Sequence, residues 1–151
     1  MVGNGNESDL LEVMAAVIPE APATPTISEA TKTIITIDWT APYNGGTPLT
    51  NYIIQWNSGN SVAVFDDLTT VDANTLSFTK TGLTTGEIYQ WKIIAVNAIG
   101  QGPESEHVEV MAAIIPEAAE APTSSFADET CINIEWAAPH DGGTPLTNYI
   151  V

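Results

Sequence analysis

The sequence predicts an all-β chain built on a seven-stranded antiparallel sandwich, present once in full and flanked by two partial copies. Three observations predict it. Short runs rich in Ile, Val, Thr, Tyr and Trp alternate apolar and polar residues between clusters of Gly, Pro, Asn and Asp, as half-buried strands and their turns do. Helical periodicity is nowhere sustained. The chain also repeats itself: WTAPYNGGTPLTNYI, from Trp39, returns as WAAPHDGGTPLTNYI from Trp136, and VMAAVIPEA, from Val13, returns as VMAAIIPEA from Val110. Both blocks recur at an offset of 97 residues, and one long period shared by separate blocks marks a tandem array.

The elements follow in order. Pro25 and Ile27 suggest a short first strand. From Thr33 to Trp39 the inward set is Ile35, Ile37 and Trp39, with Thr36 and Asp38 facing out. Tyr52, Ile54 and Trp56 repeat that pattern, and Val62 to Phe65 reads as a weak edge. Leu76 and Phe78 mark a fifth strand, Tyr89, Trp91, Ile93 and Ala95 a longer sixth, and Val108, Val110 and Ala112 the last. The spacing of turn signals is that of a sandwich. The tryptophans of the complete copy belong to its core, so Trp39→Ala ranks among the most damaging single changes.

The offset sets the expected domains: residues 1–18 as the last strand of a preceding repeat, 19–115 as the complete unit, and 116–151 as the first strands of a following one. About 100 residues suffice for a two-layer core without metals or disulfides. The single cysteine, Cys131, excludes an intrachain disulfide. The junctions read PEAP after Ile18 and PEAAEAP after Ile115, short proline-bearing segments that act as semi-rigid spacers. On this reading the chain is a window onto a longer array.

The formal net charge is −16, with 19 acidic residues against Lys32, Lys80 and Lys92 and no arginine. Nucleic-acid binding needs a basic footprint and membrane-surface binding wants Lys and Arg, so neither partner class fits. No apolar run is long enough to span a bilayer and no targeting signal is visible.

The complete unit resembles a fibronectin type III domain. The likeness rests on Pro22 and Pro25 before the first strand, Ile37-Asp38-Trp39 with Pro42, and Asn44-Gly45-Gly46-Thr47-Pro48-Leu49 leading to Tyr52. It continues through Leu83 and Gly86 ahead of Tyr89, Ala95-Val96-Asn97, and the turn Gly100-Gln101-Gly102. The resemblance implies an immunoglobulin-like sandwich and a tyrosine corner at Tyr89, whose hydroxyl returns to the backbone of the crossing loop. Family members that bind integrins carry Arg-Gly-Asp before the final strand; here Gly100-Gln101-Gly102-Pro103 stands there, so that mode is not carried over.

No catalytic, cofactor or metal site is expected. A Cys–His pair would need Cys131 beside His107 or His140, yet Cys131 aligns with Ile34 and His140 with Tyr43, so neither exists in the complete copy. Zinc lacks a ligand cluster. Asp66, Asp67 and Asp72 crowd one expected loop, and Glu104, Glu106, Glu109, Glu117 and Glu120 run into the linker, without the spacing of a calcium loop; a solvated acidic face is the plainer reading. Asn6-Glu7-Ser8 fits an N-glycosylation acceptor and the outward threonines could carry O-linked sugar. The functional expectation is a non-catalytic spacer, scaffold or adhesive stalk of a surface or extracellular filament protein. Its partners would be neighbouring repeats, self-assembly into a fibre, and glycans. The alternatives are an intracellular cytoskeletal array, or accessory repeats of a secreted enzyme whose catalytic domain lies outside this chain.

Overall fold

The computed structural model describes residues 15–59 and 64–151. Ten strands run β1 (Thr26–Ala30), β2 (Ile34–Asp38), β3 (Leu49–Trp56), β4 (Asp66–Asp72), β5 (Ser77–Thr81), β6 (Ile88–Asn97), β7 (Gln101–Glu104), β8 (Val108–Met111), β9 (Thr123–Ala127) and β10 (Ile132–Glu135). The first eight form a β-sandwich. One sheet has the order β1-β2-β5; the other has β4-β3-β6, with β7 and β8 both on the far side of β6. All pairings are antiparallel.

The inward alternation builds one core. Ile35 and Ile37 of β2 face Tyr52 and Ile54 of β3 and Trp91, Ile93 and Ala95 of β6, all buried, with Leu83, Tyr89 and Ala112 closing the same cluster. Trp39 meets Tyr52 edge-on, with ring centroids 5.6 Å apart at 71°. Trp56 packs against both Tyr89, at 5.9 Å and nearly parallel, and Trp91, at 5.6 Å. The three tryptophans thus share one interior.

Two strands differ from expectation. The edge expected at Val62 to Phe65 is replaced by β4: Val64 and Phe65 lie outside any strand, while residues 62 and 63 fall outside the described residues. A register shift between Ile54 and Gln55, opposite Thr69 and Asp67, leaves Leu68 out of step and breaks the period-2 signal. The acidic residues assigned to a loop, Asp66, Asp67 and Asp72, therefore lie along this edge strand. The last strand also starts earlier, at Gln101, and is interrupted at 105–107, where buried Ser105 exchanges bonds with Ile93: its amide donates to the Ile93 carbonyl at 2.9 Å, and the Ile93 amide donates to Ser105 Oγ at 3.0 Å. Pro103 is tolerated in β7 because β7 is an edge.

The second copy forms β9 and β10 at positions equivalent to β1 and β2. Its Trp136–Tyr149 pair, at 5.6 Å and 62°, reproduces the Trp39–Tyr52 geometry. Ile132 is 69% exposed where its equivalent Ile35 is 1% exposed. The sequence carries no second copy of residues 55–97, so the facing sheet's Trp56 and Trp91 have no counterparts here. The strand expected to end a preceding repeat falls largely on residues 1–14, outside the described residues.

Candidate functional site

Among the described residues, the distinctive chemistry lies at the two ends of the sandwich. At one end the loop after Trp39 turns through Gly45 and Gly46, both at positive φ (74° and 88°), and Asn44 Oδ1 accepts from the Gly46 amide at 2.9 Å. The incoming chain lies on this loop. The Val17 amide donates to the Gly45 carbonyl at 2.9 Å and the Glu20 amide to the Tyr43 carbonyl at 3.0 Å. A Cβ on Gly45 would stand 2.7 Å from the Ile18 carbonyl oxygen, so only glycine permits the approach.

Asn97, at the end of β6 and 4% exposed, ties this end together. Its Nδ2 donates to the Val17 carbonyl at 2.7 Å and to the Asn44 carbonyl at 2.9 Å; its Oδ1 accepts from the amides of Ile99, at 2.9 Å, and Gly100, at 3.1 Å. One side chain thereby holds the linker, the Gly-Gly loop and the turn after β6. Sequence reading placed Asn97 in a motif but missed this role; an Asn closing an apolar strand three residues before a Gly was the available signal.

At the other end the tyrosine corner is present. The Thr84 amide donates to Tyr89 Oη at 2.9 Å. Thr85 Oγ1 donates to the Lys32 carbonyl at 2.9 Å and the Leu83 amide to the Thr33 carbonyl at 3.1 Å, joining two turns into one platform. The Gly86 amide donates to Ala112 and the Ala112 amide to Glu87, each at 2.9 Å, fixing where the chain leaves. A shallow cleft of about 300 Å³ beside it is lined by Asn57, Gly59, Gly86, Glu87, Gln90 and Glu109 among others.

The charged groups are dispersed. Asp67 accepts from Gln55 at 2.8 Å, Glu109 from Gln90 at 2.7 Å, and Glu104 pairs with Lys92, whose ammonium also lies 4.4 Å from the Phe65 ring centre. Lys80 sits 5.0 Å over Trp56. Among the described residues no three His, Cys, Asp or Glu side chains gather as metal ligands, and no helix is long and apolar enough to cross a membrane. Cys131 is exposed at the turn into β10, where Asp128 Oδ1 accepts its amide at 2.8 Å, while His140 Nδ1 is taken by the Gly142 amide at 2.9 Å and Lys32 at 3.3 Å. His107 lies beside Phe65, ring centres 6.2 Å apart. Asn6 is outside the described residues.

A β-sandwich with this strand order, tyrosine corner and tryptophan core defines an immunoglobulin-like class of modules, and comparison with known proteins gives the family. The fibronectin type III domain model matches residues 20–111, and the chain belongs to that family. The chain is similar to Myomesin-2 of Homo sapiens, 31% identical over all of this chain and 11% of that protein. It is also similar to Receptor-type tyrosine-protein phosphatase S of Gallus gallus, 29% identical over 89% of this chain and 9% of that protein. The chain thus spans about a tenth of the length of these curated relatives. Among solved structures, the sixth fibronectin type III domain of human fibronectin type III domain containing protein 3 aligns with a TM-score of 0.55 and 23% identity, covering 73% of this chain and 92% of that one, which shows the shared fold.

Proposed function

We propose that this chain is a non-catalytic structural and adhesive stretch of a long tandem array at a cell surface or in an extracellular filament, acting as spacer and scaffold. Its units are the complete repeat at 19–115 and partial repeats at 1–18 and 116–151. The observation that carries the reading is the recurrence of one junction. The Val17–Gly45 and Glu20–Tyr43 backbone bonds reappear as Ile114–Gly142 and Glu117–His140, at 2.9 and 3.0 Å. A module whose entry is rebuilt at each 97-residue step serves spacing and length. All three lysines are engaged locally, so the outer surface presents mainly carboxylates, which favours solubility and self-avoidance along the array.

Imaging the native assembly tests this. Units recurring along an axis once per 97 residues on the cell exterior, with glycan mass coating them, support it; an even intracellular distribution of unassembled protein overturns it. A second reading is favoured by the likeness to Myomesin-2 and places the same array indoors as a cytoskeletal scaffold. Glycan analysis separates the two, since N-linked sugar at the Asn6-Glu7-Ser8 acceptor requires the secretory route. The likeness to a protein named for a phosphatase supports the remaining alternative, accessory repeats of a secreted enzyme whose catalytic domain lies outside this chain.

A further inference from the structure

The segment between the complete sandwich and the following partial copy is nearly all anchored. Ala112 is bonded through both its amide and its carbonyl to Glu87 and Gly86 of the complete repeat, and the Ile114 amide is bonded to Gly142 of the next, all at 2.9 Å. Only Ala113 lies between these anchors. A connection with a single residue between fixed points has two soft dihedrals, too few for free swivelling. The proline-bearing PEAAEAP stretch lies beyond this point, already laid along the next copy.

Across that one-residue connection the two copies touch. The Gly143 carbonyl oxygen lies 2.9 Å from where a Cβ on Gly86 would stand, and a Cβ on Gly143 would meet Thr85 Cγ2 at 2.7 Å, the Gly86 nitrogen at 3.3 Å and Ala113 Cβ at 3.4 Å. Both glycines have positive φ (87° and 107°). Beside this seat Lys32 Nζ lies 3.6 Å from Glu117 Oε1 and 3.3 Å from His140 Nδ1. The surface receiving the loop is the platform that Tyr89 supports. The following copy carries Glu129 at the position equivalent to Lys32, whereas the glycines recur as Gly45 and Gly46.

We propose that the Gly-Gly loop of a following repeat docks into the platform made by turns Thr31–Thr33 and Thr84–Gly86 of the repeat before it, so that adjacent repeats are locked at a fixed mutual angle. The partner of this surface is a second copy of the same unit in the same chain, and the inference rests on the tandem-array reading. It deepens that reading: spacing is set by a bonded seat, and the linker composition plays no part in it.

The test uses nuclear magnetic resonance on the 151-residue chain, and on the same chain extended by its own residues 55–115, which supplies the missing strands of the second sandwich. Docking requires a cross-peak between the Thr85 methyl and Gly143 Hα, and one rotational correlation time for both units. Inserting Gly-Ser-Gly-Ser between Ala113 and Ile114 should abolish the cross-peak and split the correlation times, while the Trp39 and Trp91 indole shifts stay put. Thr85→Lys should do the same by filling the seat. Independent tumbling of the extended wild-type chain with both sandwiches folded overturns the proposal, as does an insertion that leaves the coupling intact. Either result would leave the surface-array reading standing, since that depends on location and periodicity.

Discussion

At the scale of single residues, burial and hydrogen bonding separate positions that composition treats alike. Trp39 is 5% exposed and Trp91 fully buried within one cluster, so Trp39→Ala or Trp91→Ala should cost about 3–5 kcal/mol, read as a shift in the urea midpoint at constant slope. Asn97 would look like an ordinary loop polar residue, yet it satisfies four backbone groups at once. Asn97→Ala should cost about 1–3 kcal/mol and accelerate hydrogen exchange at the Val17 amide, whereas a surface Asn such as Asn74 should matter far less. The turn into β10 provides a pH reading. The Thr130 amide, the Thr130 hydroxyl and the Cys131 amide, at 2.7, 2.8 and 2.8 Å, hold the Asp128 carboxyl down to about 2 from 3.8. A folded-state value below the unfolded one means the turn is supported above pH 3.8, and loses that support as the pH falls through about 2. The carboxyl carbon shift of Asp128 should show that midpoint, and one near 4 would refute the arrangement. Thr31 stands at the equivalent place in the complete repeat, its Oγ1 accepting from Ile34 at 3.0 Å, so that copy's turn should show no such titration.

At the scale of elements, the strands with regular alternation were legible and the interrupted ones were not. β2, β3, β5, β6 and β8 follow Ile35, Tyr52, Phe78, Trp91 and Val110, because one face of each meets the core and the period of two is written in the side chains. β4 escaped because a register shift puts Leu68 and Val71 three apart, and because its edge position admits Asp66, Asp67 and Asp72. Those carboxylates suit an unpaired edge, where charge discourages pairing with another chain. Asp67→Val should therefore leave the fold intact yet raise the concentration-dependent aggregation seen by light scattering. The tyrosine corner was readable from Leu83 and Tyr89, but the platform it supports was not, since Thr85 and Lys32 meet only after the chain has crossed between sheets. Tyr89→Phe removes the acceptor of the Thr84 amide and should cost about 1 kcal/mol in thermal or denaturant unfolding.

At the scale of the whole molecule, the 97-residue offset is legible in the sequence, while the backbone bonding of the connecting segments is not. PEAP and PEAAEAP look like linkers because proline-rich composition usually marks them, yet the backbone bonds of Val17, Glu20, Ile114 and Glu117 lay these segments along the repeat that follows. The partial second copy keeps the local geometry of the first without its burial. Extending the chain with residues 55–115 should thus bury Ile132 and Trp136, lower dye binding to exposed apolar surface, and add a second cooperative transition on heating.

The seating of Val17 to Glu20 on the Gly-Gly loop has a consequence for force. Tension applied from the N-terminal side would reach the complete sandwich through Val17, so the bonds to Gly45 and Asn97 would bear load before its sheets. Peeling residues 17–20 would release at most about 13 Å, at roughly 3.3 Å per residue less the span they already cover, while the sandwich stays closed. A row of such modules would give slightly under a sharp pull and then recover its length, a built-in shock absorber upstream of unfolding.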